Sequence, residues 1–229
     1  MILREMRTLV SGVGQSAGTK LACQAAVGAW IVVFYCGPQH WPLFPALPAP
    51  VLGLDQCVPF QPAWALVYQS VFIVHTLALW LPRDRNAVKS YARNLAAVYA
   101  FGAVVFWLYP TLSPRPEQSG SFLHYWLISA VDGPRNAFPS LHAAMGLLAA
   151  VTVCGHFRAS RVSPWWRVAL ALWWIALLYS TLATRQHRVL DLLAGILLGL
   201  LSFALPPITT QTIQRHDPFP SSSDPTPAP

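Results

Sequence analysis

Charge is what this sequence has least of. Asp, Glu, Lys and Arg make up 10% of the chain, against 55% hydrophobic residues. A soluble domain carries roughly 25% charge, so an ordinary soluble globule is excluded and a one-domain membrane protein remains. Acidic residues are the scarcer sign, 8 against 15 Lys and Arg. The positive excess does not indicate a nucleic-acid partner, because no basic stripe interleaved with aromatics runs through the chain. Internal repeats are lacking. So is a clear small-residue cleavage site after the first apolar run, whose long flank REMRTLVSGVGQSAGTK is unlike that of a cleavable signal peptide.

Long apolar runs are present instead. A helical crossing takes roughly 17–25 mostly apolar residues. Six stretches qualify, at about 17–36, 61–81, 95–110, 137–157, 166–183 and 189–206. The third is short unless it borrows residues from Tyr91 onward. The expected fold is all-α, an integral membrane bundle of six transmembrane helices. It divides into a cytoplasmic segment 1–16, a membrane domain 17–206 and a Pro/Ser-rich, disordered cytoplasmic tail 207–229.

Only four of the 15 Lys and Arg fall on one side of this topology: Arg115, Arg135, Arg185 and Arg188. The positive-inside rule makes the other side cytoplasmic and puts both termini there. Ala, Leu, Trp and Arg usage suggests a bacterial source, hence an inner membrane with a periplasmic outer face. The first outer loop, 37–60, is rich in Pro and aromatics and suits the membrane surface. Cys36 and Cys57 would share the outer compartment, where a disulfide and two free thiols are both open. The stretch SFLHYWLISAVDG, 121–133, is too short to cross and reads as an interfacial or re-entrant helix carrying His124.

The outer arginines gather where polar groups are most unusual. YPTLSPRPEQ offers Arg115 on a Pro-flanked turn. NAFPSLHAA opens an apolar run with Ser140 and His142; Asn136 suits its N-cap and Pro139 its first turn. A helix N-terminus with free N–H groups favours phosphate. In STLATRQHRVLDLLAG, His187 and Asp191 stand four apart, about 40° from each other on a helix. A carboxylate there can accept the imidazole N–H and leave the other nitrogen nucleophilic. Arg185 lies two residues before His187. Two histidines can divide the labour of phosphoryl transfer, one attacking phosphorus and the other protonating the leaving oxygen. Arginines suit the phosphoryl oxygens. The scheme needs no metal and no cofactor. Arg135 and Arg188 stay outside the set, and His40, His75, His156 and His216 lack partners in sequence.

These stretches resemble the type 2 phosphatidic acid phosphatase superfamily. PSLH matches its Pro-Ser-x-His motif with Leu141 where many members have Gly; His187-x3-Asp191 matches the end of the third motif, and Arg115-Pro116 the end of the first. The resemblance spans roughly 109–195. It implies that His187 forms a phosphohistidine, Asp191 orients it, His142 is the general acid, and Arg115 and Ser140 hold phosphate. It also implies a site at the outer face of six helices. The family's motif-one lysine falls at Leu108 and its motif-three arginine at Thr181, with Arg185 as the replacement contact. Those departures look more like the inositol phosphorylceramide synthase branch and keep head-group transfer beside hydrolysis. The partners implied are a lipid phosphate (phosphatidate, phosphatidylglycerophosphate or polyprenyl type) and the bilayer.

Three other classes compete. A carrier or channel would place its polar groups through the bilayer, whereas these cluster at one face. A bis-histidine haem protein would leave Ser140, Asp191 and the arginines without a task. An inactive scaffold has no use for both histidines and the aspartate.

Overall fold

The structure, a computed structural model, describes residues 2–115, 126, 128 and 132–208. His124, most of the expected segment 121–133 and the tail from 209 lie outside the described residues. The elements are α1 (Ile2–Val10), α2 (Ala17–His40), α3 (Gly53–Cys57), α4 (Pro62–Trp80), α5 (Arg85–Leu108), α6 (Leu141–Ala159), α7 (Pro164–Ala183) and α8 (Val189–Ser202). Two short strands, β1 (Leu47–Pro48) and β2 (Thr111–Leu112), pair in parallel between the loop after α2 and the chain after α5.

Five helices, α2 and α4 to α7, are long and apolar enough to cross a membrane. That fits an integral membrane protein. Large apolar side chains such as Ile73, Val104, Leu172, Ile175 and Leu197 point outward from the bundle, as a lipid-facing surface requires. α8 differs from the expected sixth span. It has 14 residues, about 21 Å at roughly 1.5 Å per residue, against a hydrocarbon core of about 30 Å. Pro206 and Pro207 follow closely and cannot continue a helix.

The third span also departs from expectation. α5 begins ten residues earlier than 95, at Arg85, behind the N-cap Asp84, whose carboxylate accepts the Ala87 N–H at 2.8 Å. Its first turns carry Arg85, Lys89 and Arg93, so hydropathy alone is blind to them. At the same end of the bundle Lys20 is buried. It donates to the carbonyls of Gly12 at 2.5 Å and Trp80 at 2.7 Å, tying α2 to the end of α4.

The centre of the bundle is α6, which packs against α4, α5, α7 and α8. Small residues permit this. A Cβ on Gly195 of α8 would stand 2.2 Å from the Ser140 carbonyl oxygen, and one on Gly199 would stand 3.0 Å from that of Ala144. The two glycines form a Gly-x3-Gly stripe that lets α8 meet the first turns of α6 backbone to backbone. The Ser140 N–H donates to the Asp191 carbonyl oxygen at 2.9 Å across this contact. Sequence reading passed over the stripe, although its spacing was legible.

Candidate active site

The N-cap of α6 is Ser140, not Asn136. Ser140 is extended (φ −67°, ψ 108°), is fully buried, and its Oγ accepts the Ala143 N–H at 3.3 Å. Asn136 sits in the left-handed region (φ 68°), where Asn is tolerated. Its amide donates to the Tyr35 carbonyl at 2.9 Å. Pro139 therefore precedes the cap instead of lying in the first turn.

His187 lies outside a helix. α7 ends in a Schellman motif: Arg185 N–H donates to Leu182 O at 3.0 Å, and Gln186 N–H to Thr181 O at 3.1 Å. Arg185 occupies the left-handed position (φ 58°) where glycine is usual. The turn brings His187 back against α7, with its N–H on Thr181 O at 3.2 Å, before α8 begins at Val189.

Nδ1 of His187 lies 2.9 Å from the Ala137 carbonyl oxygen. A carbonyl only accepts, so Nδ1 carries the proton and Nε2 keeps its lone pair. The expected hydrogen bond to Asp191 is absent, Nδ1 and Oδ2 standing 3.8 Å apart. That oxygen accepts the Arg188 N–H at 2.7 Å instead and caps α8. Asp191 is wholly buried and its Oδ1 has no hydrogen-bond partner among the described residues.

His142, the second residue of α6, lies 5.9 Å from His187 between ring centres. Tyr68 stacks on it at 3.9 Å and Phe72 meets it edge-on at 6.0 Å. Its Nε2 is buried and has no hydrogen-bond partner among the described residues.

The arginines divide. Arg185 and Arg188 line a cavity of about 70 Å³ together with His187, Pro114 and Asp55. Arg185 also donates to the carbonyls of Asp55 at 3.2 Å and Val58 at 3.0 Å, and Arg188 to that of Ala49. Both guanidiniums are thus fixed by the backbone of the loop between α2 and α4. Asp55 accepts the N–H of Leu52 at 2.7 Å and of Val189 at 2.8 Å, so both of its oxygens are engaged. Arg115 is placed elsewhere. It donates to the Gln186 side chain at 3.0 Å and to the carbonyls of Asp132 at 2.6 Å and Gly133 at 2.8 Å. Its Nη2 lies 3.5 Å from the Asp132 carboxylate. Arg115 braces the chain beside His187 and is absent from that cavity's lining.

A sequence profile described as the PAP2 superfamily matches residues 40–205. The chain belongs to the PAP2 superfamily. No curated protein and no solved structure gives a significant match. PAP2 membership supports a phosphatase-type function on phosphate esters. In this PAP2 chain the structure joins His142, His187, Asp191, Ser140 and Arg185, and adds Arg188, which the sequence set had left out. It also adds Tyr68 and Asp132. Neither lies in a motif, and only folding brings them to His142.

Volume alone does not locate this chemistry. A cavity of about 630 Å³, lined by Arg83, His156 and Arg161 among others, contains neither site histidine. Cys36 and Cys57 are free thiols.

Proposed function

We propose that this PAP2 protein cleaves the phosphate ester or pyrophosphate of a membrane lipid through a phosphohistidine on His187. The observation that carries the reading is the 2.9 Å contact between His187 Nδ1 and the Ala137 carbonyl oxygen. With Nδ1–H held by Ala137 O, Nε2 is the nucleophile. It attacks phosphorus; the N–P bond forms as the bond to the lipid oxygen breaks. His142 gives its proton to that oxygen. Water then attacks the phosphohistidine, returning a proton to His142 and releasing phosphate. The two rings stand 5.9 Å apart between centres, close enough for both histidines to reach one phosphate ester. Arg185 and Arg188 offset the charge on the phosphoryl oxygens. Ser140 and the N-terminus of α6 add dipoles favourable to an anion.

We take α8 as a sixth, thin crossing, with both termini cytoplasmic and the site at the outer face. The bias of Lys and Arg toward one side supports this. We keep, as part of this reading, an N-terminal segment 1–16, a membrane domain 17–206 and a tail 207–229.

The test is phosphate release from phosphatidate, phosphatidylglycerophosphate and polyprenyl phosphates in detergent with EDTA. Wild type and His187→Ala are compared, and acid-labile phosphate on the protein is trapped by a rapid quench. Release and trapping by the wild type alone are expected. Equal release by both proteins removes His187 as nucleophile.

A further inference from the structure

We propose that a separate cavity beside His142 binds the lipid alcohol, meaning the hydroxyl compound that leaves when phosphate is taken or accepts it in transfer. This rests on the reading of His142 as the general acid. The cavity measures about 190 Å³ and shares no lining residue with the one at His187. One pocket therefore touches the nucleophile and the other touches the acid. Proton donation is needed at the alcohol oxygen, so the alcohol belongs on the His142 side.

The lining fits that occupant. Ile31, Phe72, Leu141 and Met145 supply apolar wall. At the polar end stands Asp132. Its carboxylate accepts from the Tyr35 hydroxyl and, at 3.2 Å, from that of Tyr68. The Tyr68 ring is also the one stacked on His142. An ionised carboxylate only accepts hydrogen bonds. Asp132 is paired with Arg115 at 3.5 Å, and its remaining lone pairs accept from a hydroxyl donor, whereas the cavity at His187 is lined by the donors Arg185 and Arg188. The volume is below the roughly 300–1,000 Å³ of a drug-sized site, so it holds the hydroxyl-bearing end of a lipid and leaves the chains to the bilayer. In transfer, the N–P bond of the phosphohistidine breaks, the O–P bond to the alcohol forms, and the alcohol proton passes to His142. In cleavage the same atoms move in reverse.

Cys36 lines this cavity and is a free thiol, which makes it a reporter. In the full chain carrying Cys23→Ala, Cys57→Ser and Cys154→Ala, the rate of Cys36 modification by a methanethiosulfonate is measured in detergent. Dodecanol at about ten times its dissociation constant should slow it roughly tenfold. Dodecane and inorganic phosphate should not. Asp132→Asn should weaken the protection. Ile31→Phe, which narrows the cavity without touching the carboxylate, should weaken it too. Absence of protection by dodecanol overturns the proposal, and equal protection by dodecane overturns recognition of the hydroxyl. The source of the alcohol is read in a parallel arm with a lipid phosphate donor. Phosphate appearing on dodecanol identifies an acceptor site, whereas competitive inhibition without transfer identifies the leaving-alcohol site; both keep the subsite. Protection is scored without turnover. Loss of protection with intact phosphohistidine formation defeats the subsite alone, and the opposite result defeats the catalytic reading alone.

Discussion

His187 turns its Nδ1 toward the backbone oxygen of Ala137, 2.9 Å away, and not toward Asp191, whose Oδ2 stands at 3.8 Å. The main chain before α6 therefore sets the tautomer. Asp191 contributes its charge and the cap of α8.

That division makes a graded prediction. Where a carboxylate alone fixes a histidine tautomer, its amide variant costs about 10⁴ in kcat. Outer partners that only tune a group cost about 10–100-fold. Asp191→Asn can still accept the Arg188 N–H and should fall in the second range, while His187→Ala abolishes turnover. A loss near 10⁴ for Asp191→Asn would show that the aspartate, not Ala137, holds the ring during catalysis.

His142 as general acid makes its variant depend on the leaving group. His142→Ala should cost about 10²–10⁴ on an alkyl phosphate. On p-nitrophenyl phosphate, whose leaving group departs without a proton, the loss should be far smaller. Parallel losses on both substrates would remove the acid role.

Arg185 can be split into backbone and side chain. Its left-handed position costs a non-glycine residue on the order of 1–2 kcal/mol. Arg185→Gly should therefore melt no lower than Arg185→Ala, measured by thermal unfolding in detergent. Both should lose about ten- to a hundredfold in kcat/KM, as loss of a charge-assisted contact of roughly 1.5–3 kcal/mol implies. Full activity in Arg185→Gly would make the arginine a brace for the loop between α2 and α4 only.

The contact of α8 with α6 has little slack. A methyl group at Gly195 would meet the Ser140 carbonyl oxygen at 2.2 Å, and one at Gly199 would meet that of Ala144 at 3.0 Å. Gly195→Ala should destabilise by about 1–3 kcal/mol, the usual range for overpacking, and should lower activity by parting His187 from His142. Gly199→Ala should be milder on both counts. Equal melting temperatures for Gly195→Ala and the wild type would show that the helices can separate at no cost.

What was readable in advance follows the range of the forces involved. Local sequence announced the phosphate-suited turn PSLH and the pair His187 and Asp191, because hydrophobic runs make polar intruders conspicuous. It misplaced the cap by four residues, since Asn136 and Ser140 are equally good caps and tertiary contact decides between them. It put His187 on a helix because nothing local marks an arginine as the left-handed terminator of α7. It undercounted α5, whose first turns are charged. Asp132 and Tyr68 were out of reach. They meet 64 positions apart in the chain, and neither belongs to a pattern.

The arginines of the small pocket are held by main-chain oxygens of the loop between α2 and α4, at Ala49, Asp55 and Val58. Such anchors are indifferent to which side chains the loop carries. Of these three residues, only Asp55 also has a task for its own side chain. Over evolutionary time the rest of the loop can be rewritten freely so long as its length and path persist, and a tract dense in proline keeps a path. A one-residue deletion there should do more harm than many substitutions.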